Sequence, residues 1–77
     1  MSAAIAAGLG LAEQVMATIA TAQARKLITD VRDIKLQILS EEGKGYYSDD
    51  AKLETLYQQA KILIEAAQAE FTLHAAS

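Results

Sequence analysis

Seventy-seven residues with a net charge of −3, 22% charged side chains, no cysteine and no proline restrict this chain to one small domain with no disulfide framework and no zinc–cysteine centre. The acidic balance excludes bulk nucleic-acid binding, because neutralising phosphates takes a basic excess. A domain this small needs a staple, and without cysteine that role falls to association with other chains.

The first 24 residues, MSAAIAAGLGLAEQVMATIATAQA, carry one formal charge, Glu13. The ATAQA ending has the small-x-small pattern of a signal-peptidase site, but no lysine or arginine precedes the apolar stretch and Glu13 interrupts it, so the segment reads as part of the folded chain. As a membrane span it is weak, since an acidic side chain at the centre costs about 2.5–3.5 kcal/mol and alanine returns almost nothing. Alanine has the highest helix propensity. The absence of proline lets one helix run from about Ser2 to Glu42, with Gly8 and Gly10 as weak points near its start.

One punctuation mark stands out. In SEEGKGYYSDD, Gly43 and Gly45 are the residues that most readily end a helix, Ser48 is a candidate N-cap, and Asp49 and Asp50 suit a first turn. The expectation is an all-α fold in one domain: a helix over about 2–42, a turn at 43–48 and a helix over about 49–74, folded as an antiparallel hairpin. Leu53, Leu56, Tyr57, Ala60, Leu63, Ile64, Ala67 and Phe71 form an apolar stripe on the second arm. Leu27, Val31, Ile34 and Ile38 form its counterpart on the first, flanked by Ile28 and Leu39.

The two arms differ in length. At about 1.5 Å per residue the first spans about 60 Å and the second about 39 Å, so residues 1 to about 15 are expected to overhang. Within that overhang Ile5, Leu9, Ala12 and Met16 share one side of the helix, and Leu11 and Val15 the other. A helix apolar all round is a buried helix. Ala4, Gly8 and Ala12 recur every four residues, a ridge that permits close backbone approach. Ile62 and Leu73 add a narrow second seam on the other arm. The expected oligomer interface is therefore Ala4, Ile5, Gly8, Leu9, Leu11, Ala12, Val15, Met16, Ile62 and Leu73. A break in the first helix near Thr29 and Asp30, giving a compact three-helix bundle, is the alternative architecture.

No residue set points to catalysis. His74, the only histidine, belongs to no recognisable catalytic motif and reads as a C-terminal helix cap. Glu41, Glu42, Asp49 and Asp50 lack EF-hand spacing and read as solvated helix ends. GKG lacks the first glycine and the strand-to-helix context of a phosphate loop. Tyr46 and Tyr47 are expected to pack the closed end of the hairpin. Arg25, Lys26, Arg32 and Lys35 read as a solvated face, with Lys26 and Asp30 as an i,i+4 pair. No cofactor, metal or small-molecule substrate is expected.

The opening SAAIAAGLGLAEQVMATIATAQARK resembles in composition the N-terminal segments of small internal or ejection virion proteins of short-tailed bacteriophages. That resemblance implies alanine-rich helices packed within a particle that later help form a conduit through the host envelope. SDDAKLETLYQQAK, after the turn, resembles the second helix of type III secretion needle subunits, which are helical hairpins that polymerise around a channel. This chain differs from them in having no proline at its turn. The expected function is a non-enzymatic structural subunit of a multi-copy helical assembly, a virion component whose partners are copies of itself or other subunits. The alternatives are a secretion-needle-like filament subunit, a membrane-active channel-forming protein and a small cytoplasmic dimeric interaction module.

Overall fold

A computed structural model describes residues 1–76, and the described chain is helical apart from its connections. Helix α1 covers Ala3–Met16, α2 covers Ala22–Glu42, a short 3₁₀ turn covers Gly45–Tyr47, and α3 covers Asp50–Ala76. Each of the three helices packs against both others. The result is a narrow three-helix bundle of 47 × 17 × 15 Å.

The long first arm of the expected hairpin is therefore two helices. α1 ends at Met16 and folds back along α2 and α3, so residues 1 to 15 do not overhang. The break lies at Ala17–Thr21, earlier than Thr29 and Asp30, which lie within α2. Three β-branched residues act there. The Thr18 hydroxyl donates to the Val15 carbonyl at 2.7 Å, competing for backbone that would otherwise continue the helix. The Ile19 N–H bonds the Met16 carbonyl at 3.1 Å, and its side chain plugs the corner in the core. Thr21 then takes an extended conformation, φ −120° and ψ 156°, and its hydroxyl accepts from the Ala24 N–H at 3.0 Å as the N-cap of α2.

Magnitudes explain why folding back wins. A continuous helix would keep a few more backbone hydrogen bonds, each contributing about 0.5–1.5 kcal/mol net. Folding back buries Ile5, Leu9, Met16 and Ile19, and each large aliphatic contributes about 1.5–3 kcal/mol. Their burial dominates.

Charges hold the same arrangement at both ends of α1. The Met1 ammonium donates to the Glu42 carboxylate at the far end of α2, and the Tyr57 hydroxyl of α3 donates to that carboxylate at 2.5 Å. Glu13 pairs with Arg32 of α2 at 2.6 Å. These contacts set α1 antiparallel to α2 and parallel to α3. The core collects the expected Leu27, Val31, Ile34 and Ile38 with Leu53, Leu56, Ala60 and Ala67, and adds Ala24, Ile19 and the α1 stripe.

The expected turn at 43–48 is present, with Gly45 at φ 58°, a left-handed conformation that suits glycine. Asp49, one residue later than expected, caps α3 by accepting from the Lys52 N–H at 3.1 Å. An overhang does exist, at the opposite end of the chain from the one expected. The N-cap Thr21 of α2 donates to Glu70 at 2.9 Å, and residues 72–76 of α3 run past that level with their side chains exposed.

Candidate functional site

The ten residues expected to form an oligomer interface divide in two. Ile5, Leu9, Ala12 and Met16 are core residues of their own chain, with Leu9 and Met16 fully enclosed. Their stripe is covered by α2 and α3 of the same chain, since an apolar face with period 3.6 is satisfied equally by a neighbour or by its own chain. Gly8 and Val15 are half-buried. Ala4 is exposed, as are Leu11 at 61%, Ile62 at 62% and Leu73 at 69%.

The small-residue ridge also serves within the chain. A Cβ placed on Gly8 would stand 2.6 Å from Cδ1 of Ile64. Glycine thus lets the α1 backbone meet an α3 side chain directly. Beside this close approach an open groove of about 290 Å³ lies between the two parallel helices. From α1 the walls are Gly8, Leu11, Ala12 and Val15; from α3 they are Ile64, Ala67, Gln68 and Phe71. Gln68 is the one polar side chain among them. Leu11 and the half-exposed Phe71 stand at the rim.

Four of the expected interface residues therefore line one continuous groove, while Ala4 lies one turn before it on α1. Ile62 lies elsewhere, beside Asp30, Asp33, Gln37 and Gln59 in a more polar recess between α2 and α3. The apolar spacing does not mark Gln68, and it sets Ile64, Ala67 and Phe71 against the first arm of the hairpin. A usable signal was present: the α3 stripe is wider than one partner helix covers, which points to a second neighbour.

A second surface lies at the α2–α3 turn. Tyr46 and Tyr47 are 96% and 85% exposed, with ring centroids 5.5 Å apart in an edge-to-face pair. They do not pack the closed end; Glu41 does that work. Its buried carboxylate accepts from the Asp49 N–H at 3.0 Å, from Lys44 Nζ at 3.0 Å and pairs with Lys52 at 3.3 Å. The Asp49 N–H, with help from Lys44 and Lys52 and against the effect of burial, holds the Glu41 carboxyl down to about 2 from its ordinary 4.5. Glu42 is lowered by the Met1 ammonium and then by Tyr57, and the same hydrogen bond to Glu42 raises Tyr57.

Among the described residues no cluster of acidic, histidine or cysteine side chains has the form of a metal site. No helix there is long and apolar enough to cross a membrane. The chain matches no known protein family, no curated protein and no solved structure.

Proposed function

We propose that this chain is a non-enzymatic helical interaction module whose α1–α3 groove receives one apolar face of a partner helix. The observation that carries this assignment is the groove itself, walled almost entirely by aliphatic and aromatic side chains with Leu11 and Phe71 standing at its margin. An amphipathic helix laid into an apolar groove is a recurrent mode of recognition. The walls belong to helices whose inner faces are buried in the core, so little ordering is required on docking.

The test is a titration of isotopically labelled protein, at dilute concentration, with a neutral leucine- and alanine-rich helical peptide, followed by backbone NMR. Shifts concentrated at Gly8, Leu11, Val15, Ala67 and Phe71, and absent in a Leu11→Glu variant, are expected. Shifts that avoid these residues, or no shifts at all, refute the assignment.

A multi-copy structural subunit, of the virion kind that the N-terminal composition resembles, is the second reading. It is favoured by a separate observation: Tyr46 and Tyr47 are exposed large side chains outside the groove. A subunit with more than two neighbours requires more than one such surface. Light scattering that gives a mass far above that of a dimer would support it, and a strictly small species would remove it.

A further inference from the structure

We infer that the partner helix is α1 of a second copy of this chain, so that two molecules close a two-fold dimer across their α1–α3 grooves. This inference rests on the groove being a docking site and names its occupant.

Charge selects the occupant first. No formal charge lies on α1 before Glu13, and none lies among the groove residues of α3. A charged side chain docked there would lose its water without gaining a counter-ion. The occupant is therefore uncharged on its docking side. Along the outer faces of the described helices, charges recur on α2, as at Arg25, Lys26, Arg32 and Lys35, and on α3, as at Lys52, Glu54, Lys61 and Glu65. The outer face of α1 carries Ala3, Ala4, Ala7 and Gln14 instead, so the chain itself supplies the neutral helix that its groove accepts.

Geometry selects a two-fold arrangement. The groove and the exposed Leu11 at its rim belong to the same face of the molecule. A self-complementary interface needs both on one patch, so that each copy inserts into the other. Ala3, Ala4 and Ala7 leave the α1 backbone unobstructed for close crossing.

Sedimentation equilibrium on the full chain, from micromolar to millimolar concentration, tests the inference. The expected species is twice 8.2 kDa, and Leu11→Glu is expected to raise the dimer dissociation constant by about 100-fold or more, since a two-fold interface receives the buried charge twice. Circular dichroism checks that this variant keeps its helicity, as an exposed site should. Leu36→Glu, on an exposed position outside the groove, is expected to leave the dimer intact. A monomer at every concentration, a dimer that survives Leu11→Glu, or a dimer lost in Leu36→Glu would each overturn the inference. Those failures are distinguishable from failure of the groove as a docking site: a monomer that still binds the neutral peptide at Gly8 and Phe71 loses only the second copy, and one that does not loses both.

Discussion

Gly8 and Ile64 meet so closely that a methyl group on the glycine would stand 2.6 Å from Cδ1 of the isoleucine, whereas the same group on Gly10 would meet nothing within 4 Å. The two glycines should therefore respond differently to one change. Gly10→Ala is expected to stabilise the fold by about 0.5–1 kcal/mol through helix propensity. Gly8→Ala gains the same propensity but displaces the flexible end of Ile64, so its net change should be smaller than that of Gly10→Ala. Gly8→Val adds bulk that one rotamer change does not absorb, and should destabilise by about 1–3 kcal/mol. Urea unfolding of the three variants ranks them.

Leu9 and Leu11 lie two residues apart on α1, one fully buried and the other 61% exposed. Leu9→Ala is expected to cost about 2–5 kcal/mol, and Leu11→Ala under about 0.5 kcal/mol at dilutions where the chain is monomeric. Equal, small losses at both sites in chemical denaturation would mean that α1 is not packed on its own chain.

Thr21 joins three tasks at the corner: it ends the connection from α1, caps α2 through the Ala24 N–H, and donates to Glu70 of α3. Thr21→Ala should lower stability by about 1–2 kcal/mol. Thr21→Ser keeps the hydroxyl and should recover most of it. Thermal melts of the two variants decide, and identical losses would show that the hydroxyl has no role.

Glu41 sets the acid limit. Its carboxyl is held down to about 2 in the folded chain against an ordinary 4.5, so between those values the unfolded state binds the extra proton. Stability from this group is complete above about pH 4.5 and is lost as pH falls towards 2. Glu41→Gln should lower stability at neutral pH and flatten the acid limb over that window. A variant whose unfolding midpoint follows the wild-type pH profile would contradict this.

Tyr46 and Tyr47 touch each other and little else. Replacing both by serine should change monomer stability by no more than about 0.5 kcal/mol, which thermal unfolding measures. A large loss would mean that the pair supports the turn instead of facing outward.

Much of the helical content could be read directly. The three- and four-residue spacing of Leu27, Val31, Ile34 and Ile38, and of Leu53, Leu56 and Ala60, placed buried residues correctly, and GKG marked the turn. The groove was half visible. Leu11 and Val15 stood on the side of α1 away from Ile5 and Leu9, but their opposite wall on α3 is about fifty residues away along the chain, and no local pattern pairs them.

What the sequence determined by itself is therefore helicity, the α2–α3 turn and the identity of the apolar stripes, because these follow from propensity and period within a few residues. What only the tertiary structure decided is whether the N-terminal stripe is covered by a neighbour or by its own chain. That choice turns on the corner at Ala17–Thr21, which contains neither glycine nor proline. Its residues are compatible with a continuing helix; they become a corner because folding back buries Ile5, Leu9, Met16 and Ile19 together, a gain that exists only once α2 and α3 are in place to receive them.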